Sequence, residues 1–218
     1  MGRLLIIGTG GQGKVVLDCA LEAKAYTDIA FVTNDLSAKT IAGYPVYHEQ
    51  EIATSSDNEH ALLTFYKGYD EVLVAIGNNQ ARLAKSLQLI QAGVQLATII
   101  HPKAVVSRFA QIGQGTVVFA QAVLNPFAVT GTACIINTGA IIEHDCRIGN
   151  GVHVSPAATL AGSVTVGDKS WICVGSSITN NISIGANTII GAGAVVLNDV
   201  DSNVVAAGVP AKVIKRNA

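Results

Sequence analysis

The chain has 218 residues, half of them hydrophobic but only 5% aromatic, and a mass of 22.5 kDa. A core of that composition must be built from small aliphatic side chains. Fourteen Lys and Arg against fifteen Asp and Glu give a net formal charge of −1, which leaves no general footprint for nucleic acid or an anionic membrane surface. No apolar run reaches the ~18 residues of a membrane span, and Leu4–Ile7 is too short for a secretory signal. Cys19, Cys134, Cys146 and Cys173 lack CxxC spacing, so they read as reduced thiols of a cytoplasmic protein.

Charge divides the chain. Residues 1–105 carry 18 of the 29 charged side chains and residues 106–201 only eight. The first part alternates strand and helix. Leu4–Ile7 reads as a buried strand, followed by a glycine loop and a helix from about Lys14 to Ala23 with Val15, Val16 and Cys19 on one face. Ile29–Val32 and Glu71–Ile76 read as further strands, Asn78 to Ala92 as a helix ended by Gly93, and Ala97–Ile100 as a last strand stopped at Pro102. That order predicts a small Rossmann-like parallel α/β domain over residues 1–105.

The second part obeys a hexad. Reading every sixth residue from Val106 to Val196, fifteen of sixteen are aliphatic, and the residue four places after each is small or β-branched. Gly113, Gly131, Gly149, Gly167 and Gly185 add an 18-residue period. Three short strands per coil of about 18 residues, stacked at ~4.8 Å, account for both periods. Residues 106–218 are therefore expected to form a triangular parallel β-helix of just over five coils, roughly 25 Å tall.

This pattern, with Ala207-Gly208-Val209-Pro210-Ala211-Lys212 near its end, resembles the hexapeptide-repeat acyltransferases, which implies a left-handed β-helix. The glycine-rich α/β domain, the segment Ile136–Asp145 and His153 together resemble the PglD/NeuD group of sugar acetyltransferases. The resemblance implies transfer from acetyl-CoA to a nucleotide-linked amino sugar in bacterial glycan biosynthesis. A UDP-linked 4-amino-4,6-dideoxy sugar comes first and GDP-perosamine next. O-acetylation of a sialic acid uses the same machinery, and a non-catalytic β-helix serving as a binding or assembly module belongs to another class.

His144 is the candidate general base. It lies two places after inward Ile142 and therefore points outward, and it is followed by Asp145. A carboxylate hydrogen-bonded to an imidazole fixes its tautomer and raises its basicity. Adjacent residues on a straight strand face opposite ways, so Asp145 reaches His144 only if the chain turns there. His153 also points outward, half a coil away, and two such sites cannot easily meet across one prism. Side-by-side prisms, as in the homotrimers of this family, would bring His153 of one subunit to His144 of another. The resemblance assigns His153 to acetyl-CoA near the thioester and Asn137 to the sugar side of the active site.

Gly8-Thr9-Gly10-Gly11-Gln12-Gly13 fits a phosphate-binding loop between strand and helix. A dinucleotide enzyme is one reading, but about 105 residues is short for a two-half Rossmann domain. The resemblance instead implies a sugar-nucleotide pocket of Gly10, Gly11 and Gln12 (where the family commonly has His), with Thr33, Asn34, Asp35, Gly77 and Asn78 at the same sheet edge. Gly162, 18 residues after His144, would leave room for the pantetheine arm of acetyl-CoA. Gly175, Ser176, Ala192 and Gly193 would let CoA approach the backbone on later coils. Lys212, Lys215 and Arg216 read as either an attraction for CoA phosphates or a frayed basic tail. Cys134 and Cys146 fall on inward positions, which argues against an acyl-cysteine. No metal site is expected.

Overall fold

The computed structural model describes residues 2–37, 39–53 and 58–216. The chain divides into two compact units, 1–99 and 100–218.

In the first unit, β1 (Gly2–Ile7) is the buried strand, with Leu4, Leu5 and Ile6 fully covered. It lies between β2 (Tyr26–Thr33) and β5 (Glu71–Val74), parallel to both. The sheet continues through β4 (Tyr44–His48), parallel to β2, to β3 (Thr40–Ile41), antiparallel to β4. Helix α1 (Gly11–Ala23) buries Gly13, Val16, Leu17, Cys19 and Ala20. Val15, expected on that face, is exposed, because the buried stripe follows positions 13, 16, 17 and 20 at helical spacing. Short α2 (Glu49–Ile52) and α3 (Asn58–Lys67) precede β5, and α4 (Asn79–Gln91) follows it. Gly93 takes φ +75° just beyond α4 and donates its N–H to the Ile90 carbonyl, at 2.9 Å.

The expected last strand of this unit divides between the two units. Ala97 donates its N–H to the Val72 carbonyl at 2.9 Å, beside the Val72–Leu96 bridge at the edge of the first sheet, whereas Ile99–Ile100 is the first strand of the β-helix. The physical reason is already in the repeat, since Ile100 stands six residues before Val106 and continues the hexad. The division therefore falls one hexad before residue 105.

The second unit is a parallel β-helix with three faces. Six strands from Val105–Val106 to Val195–Val196 make one face, and five from Gln111–Ile112 to Ser183–Ile184 make the next. The third starts at Ile99–Ile100 and runs up through Ile189–Ile190. We call these faces I, II and III. Register is 18 residues throughout, as in Ile135↔His153 and His153↔Trp171. The strands are two residues long rather than six, and a four-residue corner takes up the rest of each hexad. The aliphatic ladder and the small residues four places on form one continuous core.

Corners explain why the hexad is strict. In all fourteen from 114–115 to 192–193, the second turn residue is left-handed, with φ between 53° and 74°. Nine of these fourteen are not glycine, among them Asp145 at φ 61°. Each such residue costs about 1–2 kcal/mol in isolation, so the stacked ladder must impose the turn. The 18-residue glycines serve a different purpose: a Cβ at any of them would run into the next coil up. On that edge Asp168 accepts the Asn150 N–H at 2.7 Å, and Asn150 accepts the Thr132 N–H at 2.9 Å.

At the top of face III, Val204–Ala207 adds in parallel to Ile189–Ile190. Lys212–Arg216 then folds back antiparallel to it, pairing Val204 with Arg216 and Ala207 with Lys212. The basic segment is thus a paired edge strand, not a frayed tail. Among the described residues, no helix is long and apolar enough to cross a membrane.

Candidate active site

The corner between faces I and II carries His144 and Asp145. Its backbone is held from both sides. Asp145 donates its N–H to the Pro126 carbonyl at 3.2 Å, and Ser163 donates to the His144 carbonyl at 2.9 Å. The left-handed turn at Asp145 brings its carboxylate back to the imidazole, with Nδ1 to Oδ2 at 2.8 Å. The two side chains are each 56% exposed. A carboxylate only accepts, so Nδ1 carries a hydrogen, and in the neutral ring the lone pair is then on Nε2. That is the state a general base needs. Sequence spacing left Asp145 conditional on a turn, and the turn is there.

Gly162 stacks directly above His144 on the same corner. Its bare α-carbon leaves no open channel, however. A Cβ built there would lie 2.6 Å from both Cε1 and Nε2 of His144. The imidazole already fills the space that had been expected for a pantetheine arm.

His153 sits on face III, opposite the His144 corner of the prism, with the apolar core between them. Within one chain the two histidines are not brought together. Asn137 belongs with His153 rather than with His144: its Nδ2 is 3.1 Å from His153 Nε2. The Asn137 Oδ1 accepts the Thr138 N–H at 2.8 Å, so the amide presents its NH₂ to the ring. Nε2 of His153 therefore accepts, and the neutral ring carries its proton on Nδ1. Trp171, one coil up, stacks on this imidazole with 5.7 Å between centroids and 8° between planes. Its indole N–H donates to Ser155 Oγ at 2.7 Å. Sequence reasoning missed Trp171, although it stands 18 residues after His153 and the repeat length alone puts it there.

The residues expected to approach CoA divide. Gly175 and Gly193 are left-handed corner residues between faces III and I, open on their Cβ side, and Ala192 shares that corner. Ser176 does not belong with them. It is fully buried and donates its hydroxyl to the Cys173 carbonyl at 2.8 Å, because the hexad turns that position into the prism.

Two cavities among the described residues of the first unit bear on these positions. One of about 330 Å³ lies at the carboxyl ends of the central strands, lined by Gly8, Thr33, Asn34, Asp35, Ile76 and Lys85 among others. The other, about 650 Å³, lies against α1 and includes Thr9, Lys14, Asp18, Asp35 and Thr40. Asp35 lines both, and hydrogen bonds from the Ser37 hydroxyl and N–H hold its carboxyl below the usual range. Thr33 Oγ1 accepts the Asp35 N–H at 3.1 Å and lies 3.2 Å from Thr9 Oγ1, tying the second strand end to the glycine loop. Gly10 is the N-cap of α1, and Gly11, Gln12 and Gly13 already form its first turn. A Cβ on Gly13 would strike the Gly8 carbonyl, so this glycine sets how closely helix and strand pack.

Asn78 caps α4, its Oδ1 accepting the Ala81 N–H at 2.9 Å. The Gly77 and Ile76 carbonyls accept from the buried guanidinium of Arg82, at 3.2 and 3.0 Å. Arg82 thus staples the loop from inside, and Lys85 from the next turn reaches the cavity. Arg82 stands four residues after the Asn78 cap and Lys85 three after that, which puts both on one face of α4. Lys85 Nζ stands 4.0 Å from Glu49 and 5.2 Å from the Tyr66 ring centre.

The thiols are quiet. Burial pushes Cys19 up to about 12 and raises Cys146 and Cys173 as well. Raised thiols are protonated at neutral pH, so little thiolate is present. Cys173→Ala is expected to retain kcat within about twofold of the parent, as bound by steady-state kinetics. A collapse of activity would point to an acyl-thioester instead.

Comparison with known proteins places these features in context. A family model described as the PglD N-terminal domain matches residues 3–89. A UDP-N-acetylbacillosamine N-acetyltransferase from Bacillus subtilis is 38% identical over 117 residues, 53% of this chain. The chain spans about half the length of that curated relative, 50% of it being matched. PerB from Caulobacter crescentus, solved in complex with CoA and GDP-perosamine, is 37% identical, with a TM-score of 0.86 over 98% of this chain and 97% of its own. The acetyltransferase domain of PglB from Neisseria gonorrhoeae, solved with acetyl coenzyme A, is 34% identical, with a TM-score of 0.87 over 97% and 98%.

Proposed function

The chain belongs to the PglD/NeuD-type sugar acetyltransferases of the hexapeptide-repeat superfamily, and from that premise we propose that it moves the acetyl group of acetyl-CoA onto the amine of a nucleotide-linked amino sugar, a step of bacterial glycan biosynthesis. The observation that carries this reading is the His144–Asp145 pair, one ring nitrogen bound by a carboxylate and the other kept basic.

In this mechanism the amine nitrogen attacks the thioester carbonyl carbon while Nε2 of His144 takes a proton from it. The tetrahedral intermediate collapses, the C–S bond breaks, and His144 returns the proton to the leaving thiolate. Asp145 stabilises the imidazolium in between. A backbone N–H from an opposing coil steadies the oxyanion. His153, its proton on Nδ1 and its ring fixed by Asn137 and Trp171, holds acetyl-CoA near the thioester. Gly175, Ala192 and Gly193 give CoA a bare corner to follow. The α/β unit recognises the nucleotide through the glycine loop and the Thr33–Asp35 strand end, with Lys14 or Lys85 near the phosphates.

His144 and His153 lie on opposite sides of one prism, so a complete site needs a second copy. We read the assembly as a homotrimer in which His153 of one copy meets His144 of the next. The exposed, stacked Phe109 and Phe127, on the His144 corner two coils and one coil below, supply apolar surface for that packing. Acetyl-CoA and nucleotide sugars are cytoplasmic metabolites, which supports a cytoplasmic location.

The test is release of CoA thiol from acetyl-CoA with a panel of acceptors. It comprises a UDP-linked 4-amino-4,6-dideoxy-N-acetylhexosamine, GDP-perosamine and free sialic acid. Turnover is expected on one amino-sugar nucleotide, the UDP sugar first. Turnover on sialic acid alone would move the protein to O-acetylation, and silence across the panel with acetyl-CoA still bound would overturn the acceptor class.

A further inference from the structure

The fourteen corners share a common backbone, and the first turn residue of each has room for a side chain. Gln, Ala, Pro, Thr, His, Asn, Asp and Val all occur there, and glycine occurs once, at Gly162. The turn does not ask for it. The left-handed residue of that corner is Ser163, at φ 62°, and Gly162 has no positive φ. Nor is it the glycine of the 18-residue ladder, whose Cβ would meet backbone of the next coil. What a Cβ on Gly162 would meet is the far end of one side chain, Cε1 and Nε2 of His144 at 2.6 Å. Asn180 closes the same space from above, its Nδ2 lying 3.3 Å from that point.

We propose that Gly162 is a positioning residue for the catalytic imidazole. Its bare α-carbon is a seat on which the His144 ring lies. Asp145 fixes the Nδ1 end, and the seat fixes the tilt, so Nε2 is held in one place rather than swinging about the side-chain torsions. This rests on the reading of His144 as the base. A methyl group at 2.6 Å is well inside the ordinary carbon contact distance of ~3.5–4.0 Å. The ring is the flexible partner, so it must rise by about 1 Å, which is the scale of misplacement that costs ~10²-fold in rate.

Gly162→Ala is expected to fold and to bind acetyl-CoA as the parent does, with both KM values within about twofold and kcat down ~10²-fold. In a His144→Ala background the same change is expected to add less than a twofold loss, because the group it displaces is gone (about 10²-fold against about onefold). In nitrogen NMR spectra the His144 ring signals should move while those of the other four histidines stay. Three results would overturn the inference: kcat unchanged, an equal loss in both backgrounds, or weaker acetyl-CoA binding as the main effect. The last would make Gly162 a contact of the acyl donor instead. If His144→Ala itself keeps full activity, the base assignment fails. If His144→Ala is inactive and Gly162→Ala is not, only the seat fails. The NMR and binding arms decide the matter even where residual rates are too low to measure.

Discussion

Replacing His144 with alanine is expected to lower kcat by about 10²–10⁴-fold, the usual worth of a positioned base, with acetyl-CoA affinity close to that of the parent. In free energy this is about 3–5 kcal/mol of transition-state stabilisation. The corner itself should survive, because its two anchoring hydrogen bonds come from backbone atoms and the side chain is more than half exposed. What disappears is the lone pair on Nε2 and the cation that Asp145 stabilises. An amine attacking a thioester becomes positively charged, and without an acceptor for its proton the intermediate returns to reactants. Steady-state rates, with acetyl-CoA binding followed by calorimetry, separate the two effects. Activity within a few fold of the parent would sink the assignment.

A large loss of stability is expected from Gly167→Ala. Its Cβ would fall 2.5 Å from the Ala186 nitrogen and 2.8 Å from the Ala186 Cα and the Gly185 carbonyl carbon, all backbone of the coil above. Those atoms belong to a ladder in which Gly167 donates to the Ile184 carbonyl at 2.8 Å, so neither coil can retreat without breaking rungs. Overpacking costs about 1–3 kcal/mol where side chains give way, and here none can, so the upper end applies. For a chain of this size ~3 kcal/mol lowers Tm by roughly 6–12 °C. Gly175→Ala makes the comparison. It meets nothing within 4 Å but takes φ +64°, so it should cost only about 1 kcal/mol of backbone strain. Thermal unfolding by circular dichroism reads both. A Gly167→Ala protein melting with the parent would mean the coils part easily.

The β-helix was legible because each hexad position answers to its own coil. Inward residues must be aliphatic or small, whatever lies elsewhere in the chain. The outward placement of His144 and His153 and the burial of Cys134 and Cys146 follow from position in that frame, whereas the turn that brings Asp145 to the ring needed the fold. The frame also contained facts that went unused. Ile100 continues the hexad, so the boundary lay one repeat earlier, but strand-like residues before a proline suit either unit. Ser176 stands on an inward position, which the hexad alone sets against a contact with CoA. The α/β unit was harder. Its hairpin Thr40–His48 contains Pro45, and the smaller cavity is lined by Lys85 reaching back from α4 beside the loop that Arg82 holds. No local pattern marks a buried guanidinium. The closeness of Gly162 to the His144 ring is not in the sequence, because a glycine in a turn carries no sign of what lies over it.

A stack of identical coils has no intrinsic end. The uppermost row of N–H and C=O groups on a face is the same template that each coil below presented to its neighbour, and another copy could dock there and be docked on in turn. The hairpin that closes face III reverses that polarity. An incoming parallel strand would meet Lys212–Arg216 running the wrong way, with three positive charges along five residues. The segment therefore works as a terminator against polymerisation. With parallel end-to-end addition disfavoured on the longest face, the flanks of the prism, where His144 and His153 are displayed, carry no such terminator.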